Sequence, residues 1–562
     1  MKKGNLYEGK VVMSAFPNKG IVHVDGEKVI VKNALPGQTV SFILSKNKTG
    51  SKEGRLVEVL ERSDIEDMSS ACSVFGKCGG CIYQTLPYEE ELKIKESQIR
   101  TLFENFLRSE PEYAGVSSDS FLEEIRPSPV YAGYRNKMEY SFGDEVKGGD
   151  MTLGMHVAGH FNDIVNTDEC NISDPDFEII RKITLSFFRT EGMPFYHKNT
   201  GEGFLRHLLL RKGINTGEIL VCIVTTSAFE AADIMKRFCE QLLSMHTSGN
   251  ITGVVHIIND SPADAVKADR TVLLYGKDCF YDEVCGLRFR ITPFSFFQTN
   301  TLGAQVLYSV VRRYVEEALG GGDGRTGTVF DLYCGTGTIT QILSGVAKRA
   351  VGIEIVEEAV AAARENAQIN GITNTEFIAG DVLKVLEGLD EKPDLIIMDP
   401  PREGATPKAL AKILDYGVDS IIYVSCKPTS LMRDLALCTD AGYRIIKAAP
   451  VDMFPRTGNV ETVVCLSKGD VKSKKIRVEF SLEDMDTDGF KKGATYNAIR
   501  DWIKEKYGYR VTNLNIAQVK QKHGIIEREN YNKPKSPDSK QPGCPEEKIK
   551  AIEDAMRHFQ MI

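Results

Sequence analysis

The chain has 562 residues, a formal net charge of -8 and an ordinary globular composition, so several domains are expected. No apolar run approaches the roughly 20 residues needed to cross a bilayer, and the first residues, MKKGNLYEGKVV, lack the apolar core of a secretory signal. A cytoplasmic chain without membrane association is expected, in which the 13 cysteines serve as thiols, metal ligands or a nucleophile and not as a disulfide scaffold. The acidic balance argues against nucleic-acid binding over the whole surface but leaves room for a local basic groove.

Residues 1–62 read as a small β-domain. YEGKVVMSA, GIVHVDG, EKVIVKN, QTVSFILSK and GRLVEVLERS are short alternating runs separated by Gly, Pro and Asn turns. Strands at this spacing predict a small barrel of the oligonucleotide-binding (OB) type, often a single-stranded nucleic-acid binder, although a plain structural β-domain has the same pattern.

CSVFGKCGGC follows, placing Cys72, Cys78 and Cys81 at C-x5-C-x2-C spacing with two glycines between the last pair. Four thiolates close an iron–sulfur or zinc site. Cys170, in the polar turn NTDECNISD, is the candidate fourth ligand, whereas Cys222 and Cys239 sit in core-like runs. An iron–sulfur cluster is favoured over zinc because the second half is not another C-x2-C pair.

The segment from about 83 to 107 has the spacing of a connecting amphipathic helix. Residues 63–290 otherwise alternate strand-like and helix-like runs, predicting a central α+β domain that carries the four cysteines. Its Arg135, Lys137, Arg206, His207 and Arg211 are expected either on solvated strand faces or against phosphates. In ITPFSFFQTN, Gln298 follows a group of phenylalanines suited to a base or an adenosine, and Asn300 suits either that pocket or a helix cap.

Residues 291–470 predict a doubly wound, Rossmann-like α/β domain. TVFDLYCGTGTITQILSGVAKRAVGIEI has the order strand, glycine loop, helix, strand, with Glu354 at the tip of the second strand, a spacing that suits a nucleotide-like ligand. Asp331, Glu354, Asp381, Asp399 and Cys426 all fall at strand ends, where ligands of such sheets bind. Residues 471–562, carrying a net charge of +5 against an acidic remainder, read as an accessory helical tail in which PKSPDSKQPGCP is a loop.

These residue types have a common chemistry. A pyrimidine C5 is a poor nucleophile. A thiolate adding to C6 turns the ring into an enolate that can take a methyl group at C5, and a base must then remove the C5 proton. Cys426, beside Lys427, suits the thiolate, with the lysine helping to keep it ionised. Asp399 in DPPREG suits the ring edge, and Glu461 suits the base.

In this order, FDLYCGTGTIT, MDPPREG, VSCKPTS and FPRTGNVETVV resemble the RNA uracil-5-methyltransferases. CSVFGKCGGC and NTDEC resemble the four-cysteine [4Fe-4S] site of the 23S rRNA branch of that family, and the N-terminal β-domain resembles its TRAM domain. The tRNA-specific branch typically lacks both, so the resemblance implies 23S rRNA as partner, through a single-stranded or loop segment with a flipped uridine. It further implies that Gln298, Tyr333, Glu354 and Asp399 bind S-adenosylmethionine, that Cys426 is the nucleophile and Glu461 the proton acceptor, and that Cys72, Cys78, Cys81 and Cys170 hold the cluster. A monomer is expected. A 5-methylcytosine enzyme shares the mechanism, and an RNA-binding iron or redox sensor is the non-catalytic alternative.

Overall fold

The computed structural model describes residues 1–468 except 49, 70–71, 161, 264–265, 321–323 and 390, and in the tail 496–509, 511–523 and 545–559. Met1–Lys472 form one compact unit and Ser473–Ile562 a second.

Five strands open the first unit: β1 (Leu6–Ala15), β2 (Lys19–Val24), β3 (Glu27–Lys32), β4 (Thr39–Lys48) and β5 (Ser51–Glu61). They close into a barrel of order β1-β2-β3-β5-β4, with β3 and β5 parallel, as in an OB barrel. The alternation seen in sequence has its physical cause here: Val11, Val22, Val29, Val31, Val40 and Phe42 point inward and are buried together.

Helix α1 (Tyr88–Ser109) follows. Its Ile99, Phe103, Phe106 and Leu107 recur at helical spacing and pack into the same hydrophobic cluster as the C-terminal α/β sheet. Its other buried positions are polar: Glu91, Lys95 and Gln98 are all within 1% of full burial.

The central layer comprises β6 (Lys137–Asp144), β7 (Met151–His156), β8 (Ile164–Asn166), α2 (Pro175–Thr190), β9 (Leu205–Lys212), β10 (Glu218–Thr225), α3 (Ala232–Leu243), β11 (Asn250–Ile258) and β12 (Arg270–Gly276). Its seven strands run in the order β12-β11-β10-β9-β6-β7-β8. All eight residues of β9 are buried, because α2 and α3 cover one face and the core shared with the next domain covers the other. Arg206, His207 and Arg211 therefore meet neither solvent nor phosphate, contrary to the two placements their charge suggested. The Arg206 guanidinium donates to the carbonyls of Asn259, Ser261 and Ala263 at 2.6–2.8 Å. Arg211 donates to the carbonyls of Thr292 and Ser295, each at 2.7 Å, and so fixes the turn that leads to Gln298.

After the hairpin β13 (Phe280–Val284) and β14 (Leu287–Ile291) comes α4 (Thr301–Ala318). The α/β sheet then follows as β15 (Thr326–Leu332), α5 (Thr338–Leu343), β16 (Ala347–Glu354), α6 (Glu357–Ile369), β17 (Thr375–Ala379), α7 (Val382–Gly388), β18 (Leu395–Met398), α8 (Pro407–Asp415), β19 (Ser420–Ser425), α9 (Pro428–Asp440), β20 (Tyr443–Val451) and β21 (Glu461–Lys468). The order is β17-β16-β15-β18-β19-β21-β20, with β21 antiparallel to both of its neighbours, β19 and β20. The chain winds outward from β15 on one side and restarts at β18 on the other. That is the switch point where open α/β sheets hold ligands.

The tail packs α10 (Tyr496–Tyr507), α11 (Asn513–Lys522) and α12 (Glu546–His558) around Ile499, Ile503, Ile516, Val519, Ile552 and Met556. Residues 534–544 of the expected PKSPDSKQPGCP loop lie outside the described residues.

Asn300 caps α4: its Oδ1 accepts from the Gly303 N–H at 2.9 Å, while its Nδ2 donates to Ser128 Oγ at 3.0 Å and to the Met453 carbonyl at 2.9 Å. The capping alternative is the one realised. Asn300→Ala removes the cap and leaves buried acceptors unpaired, so it is expected to destabilise by about 2 kcal/mol or more, read as a lower urea midpoint of the unit that contains residue 300.

Candidate functional site

The β-ladder brings distant motifs to one level. Leu332 pairs with Met398 and Met398 with Tyr423, so the chain leaves β15, β18 and β19 close together, at Tyr333, Asp399 and Cys426. In the antiparallel part Ser425 faces Thr462, which puts Cys426 level with Glu461, the first residue of β21. Across the other ladder Glu461 faces Val451, so the nine residues 452–460 form the hairpin loop at whose base Glu461 stands.

Between β15 and β18 a small cleft opens. Gln298, Tyr333 and Asp399 line it, together with Phe296, Phe297, Tyr308, Asp331, Cys334, Gly335 and Thr336. Its floor is the glycine loop. Tyr333 has φ 67° and Gly337 φ 73°, both left-handed. A Cβ on Gly337 would also stand 2.5 Å from the Phe377 ring, so two constraints converge on glycine there. Glu354 is bonded to the loop: its carboxylate accepts from the Gly335 N–H at 3.1 Å and from the Val356 N–H at 3.0 Å. Asp331 takes the Thr340 hydroxyl on one oxygen at 2.6 Å, while its buried Oδ1 has no hydrogen-bond partner among the described residues. An orphaned carboxylate oxygen in a cleft suits a cationic ligand group. Asp331 was legible as a strand-end acid, but its free oxygen was not.

The electrostatics are unusual for a strand edge. Burial pushes Asp331 up to about 7, with Glu354 adding to the rise and the Thr340 hydrogen bonds opposing it. Burial, then the neighbouring Asp331, pushes Asp399 up to about 7. Burial, then Asp399, pushes Glu461 up to about 8, against Arg402. The half-buried Cys426 thiol is pushed up to about 11 by burial and by Glu461 and Asp399, again against Arg402. The cation that favours the thiolate is therefore Arg402. Lys427, expected in that role, turns its ammonium to Glu403 at 3.4 Å. Arg402 is oriented by its hydrogen bond to Asn459 Oδ1 at 2.9 Å.

The four sequence-selected cysteines come from two loops that are tied together. Gln84 and Asn171, each just beyond one of the loops, exchange two amide hydrogen bonds of 2.7 Å. Ser73 Oγ donates to the Asp168 carbonyl at 3.1 Å. Cys72, Cys78, Cys81 and Cys170 are free thiols of intermediate exposure. Burial pushes Cys81 up to about 12, and the charges of Cys170, Cys78 and Cys72 add to it, so the four share one electrostatic neighbourhood. Among the described residues no three Cys, His, Asp or Glu side chains are grouped as for a single ion. A polynuclear cluster asks for a wider arrangement, since its thiolates bind different irons, and an all-thiol donor set suits iron and sulfide.

A family profile described as tRNA (Uracil-5-)-methyltransferase matches residues 285–469. An uncharacterized RNA methyltransferase of Clostridium tetani is 44% identical over 470 residues, covering 84% of this chain and 99% of its own length. Another of Caldanaerobacter subterraneus is 44% identical over 83% of this chain and 100% of its own length. This chain belongs to the RNA uracil-5-methyltransferase family. Its fold is similar to that of the Pyrococcus abyssi tRNA (uracil-54, C5)-methyltransferase, at 23% identity and a TM-score of 0.61, over 82% of this chain and all of that one. The relatives align over lengths that leave about a sixth of this methyltransferase unmatched.

Two expectations follow from the electrostatics. Arg402→Gln removes the cation that, among the described residues, offsets the two carboxylates at Cys426, so the alkylation midpoint of the Cys426 peptide, read by mass spectrometry across pH, moves upward. The acids give a second, with a definite sign. A carboxyl whose folded pKa is raised from about 4 to about 7 favours folding most below pH 4, and that contribution fades as pH rises to the folded value. Asp399→Asn is therefore expected to melt higher than the native chain at pH 8, with the advantage shrinking toward pH 5.

Proposed function

We propose that this protein transfers a methyl group from S-adenosylmethionine to C5 of a uridine in 23S rRNA, through a covalent bond between Cys426 and C6. The observation that carries the reading is the placement of Cys426, Glu461 and Asp399 at one end of the sheet, beside a cleft with an unpaired carboxylate oxygen. S-Adenosylmethionine is consumed as a substrate and supplies an electrophilic methyl group. Gln298, Tyr333 and the cleft face of Asp399 hold it, Glu354 keeps the glycine loop in shape, and Asp331 Oδ1 receives its amino group.

At neutral pH the free site holds Cys426 as a thiol, and its half-exposed sulfur loses the proton to water as it adds to C6. Arg402 offsets the charge on sulfur. The C5=C6 electron pair moves toward O4, and Asp399 meets the polar edge of the ring. C5 then takes the methyl group from the sulfonium, whose S–CH3 bond breaks to leave S-adenosylhomocysteine; the Glu461 carboxylate takes the C5 proton, the double bond re-forms and the thiolate leaves. A base of pKa about 8 suits this step, because it is basic enough to accept a proton yet partly ionised at neutral pH.

Cys72, Cys78, Cys81 and Cys170 would hold a [4Fe-4S] cluster that ties their two loops together. The TRAM-like barrel and this four-thiol site favour 23S rRNA, read as a single-stranded segment with the target base turned out of the stack. The protein acts as a cytoplasmic monomer.

The reaction is tested with 5-fluorouridine RNA, whose fluorine cannot be removed as a proton. The native chain is expected to form a denaturation-resistant RNA adduct that Cys426→Ala abolishes; an adduct that survives Cys426→Ala refutes the mechanism. The acceptor is tested by mapping modified nucleosides in cells with and without the protein. Loss of 5-methyluridine from 23S rRNA supports the reading, while loss from tRNA alone, or loss of 5-methylcytosine, overturns it.

A further inference from the structure

The loop that carries the chain from β20 to Glu461 is held by side chains and backbone from four other parts of the fold. Its first residue, Asp452, donates its N–H to the Arg126 carbonyl at 2.9 Å. The Asp452 carboxylate accepts from Lys95 Nζ at 2.7 Å and from Tyr88 Oη at 2.9 Å. The next three carbonyls are each taken by a different side chain. Asn300 donates to Met453 O at 2.9 Å, Lys95 to Phe454 O at 3.3 Å and Tyr134 Oη to Pro455 O at 2.8 Å. Arg456, with φ 69°, gives its N–H to Glu91 at 2.6 Å. Its carbonyl accepts from the N–H groups of Ile82 and Tyr83 at 2.8 and 3.1 Å. Ile82 directly follows Cys81. A Cβ on Gly458 would meet Ile82 Cδ1 at 2.6 Å and Pro17 of the barrel at 3.3 Å, so the loop also lies flush against both.

Lys95 is the centre of this arrangement. It is fully buried and joins Glu91 and Asp452, each at 2.7 Å, to the Phe454 carbonyl. None of these groups reaches the cleft, and the ladder already places the Glu461 backbone. What the ladder does not determine is the path of the residues before it, including Asn459, which holds Arg402.

Building on the proposed reaction, we propose that Lys95 is a positioning residue for its last step: with Tyr134 and the backbone of Ile82 and Tyr83 it fixes the 452–460 loop so that Glu461 meets the C5 proton. The bond-making half of the reaction, sulfur on C6 and methyl on C5, does not depend on that proton transfer. Removing the C5 proton and breaking the C6–S bond does. A loosened loop therefore stalls the enzyme with methylated uridine still bound to Cys426, and the four-thiol loop, through Ile82, acts on the same step.

The full chain is compared with Lys95→Met and with the milder Tyr134→Phe, which removes a single hydroxyl. Each is given uridine RNA and methyl-labelled S-adenosylmethionine, and label held in a denaturation-resistant protein–RNA complex is measured beside turnover. In Tyr134→Phe, and in Lys95→Met if it folds, turnover is expected to fall roughly 10-fold or more. The labelled complex should accumulate, as it should in Glu461→Gln, while the final extent of trapping by 5-fluorouridine RNA and the binding of the methyl donor stay at the native level; the rate of trapping falls to the degree that Asn459 no longer holds Arg402 beside Cys426. A fall in Tyr134→Phe turnover without accumulation, or native turnover in Tyr134→Phe, overturns the inference. Failure of the native chain itself to trap 5-fluorouridine RNA overturns the reaction on which it rests, so the two failures are told apart.

Discussion

A lysine with no access to water holds the junction of this protein together. Burying the Lys95 ammonium costs several kcal/mol of lost hydration, and one carboxylate does not repay that in a dry interior. Two carboxylates and a carbonyl do: Glu91, Asp452 and Phe454 O surround the ammonium, and together the carboxylates raise its affinity for the proton despite burial. Their own desolvation is met in turn by Tyr88 and the Arg456 N–H. The arrangement is worth little as net stability but much as geometry, because removing any one member strands a buried charge at a cost of about 3–5 kcal/mol. It ties α1 to the β20–β21 loop, and through α1 to the apolar core of the α/β sheet.

The active end of the sheet follows the opposite policy. Asp331 and Glu461 are buried, Asp399 is half-buried beside them, and the described cation among them is Arg402, itself exposed. Each acid is driven toward its neutral form, which destabilises the empty protein as pH rises. The same crowding is useful chemically. A carboxylate in water would be too weak a base to take a carbon-bound proton, and a buried one is stronger. On the proposed reading, a substrate with a cationic sulfonium and ammonium relieves part of this repulsion on entering.

What could be read from the sequence was whatever local pattern determines. Barrel strands alternate inward and outward, the βα units of the α/β domain have their own periods, and the glycine loop with its downstream acid is a short-range motif. The residues that converge at the sheet's end were legible because strand ends in a parallel sheet lie at one edge whatever the rest of the chain does. Charge placement was not legible. Arg206 and Arg211 looked like surface cations because nothing in LRHLLLRK reveals that both faces of that strand are covered, nor that remote carbonyls await the guanidinium groups. Lys427 looked like the partner of Cys426 because it is adjacent in sequence, whereas its ammonium turns to Glu403 and Arg402 comes in from the loop after β18. Lys95, in a helix of alternating Glu and Lys, had the pattern of a solvated face. Glu91 is one turn away, but the other two partners of Lys95, Asp452 and Phe454 O, lie more than 350 residues away in the chain.

That separation bears on the cysteine loop. The cysteine loop touches more than its own domain, because it meets the loop that leads into the last strand of another. Here the two residues after Cys81 give their N–H groups to the carbonyl of Arg456, a residue in left-handed conformation, and the Ile82 side chain fills the space that Gly458 leaves. Both contacts use features that tolerate little movement: a backbone hydrogen bond has no rotamer to adjust, and a glycine contact closes when any side chain is added. The order of the four-thiol loop is therefore transmitted to the approach of Glu461 without passing through the methyl-donor cleft. On the proposed reaction this contact bears on the step that uses Glu461 and not on the methyl-donor cleft, which none of these residues lines.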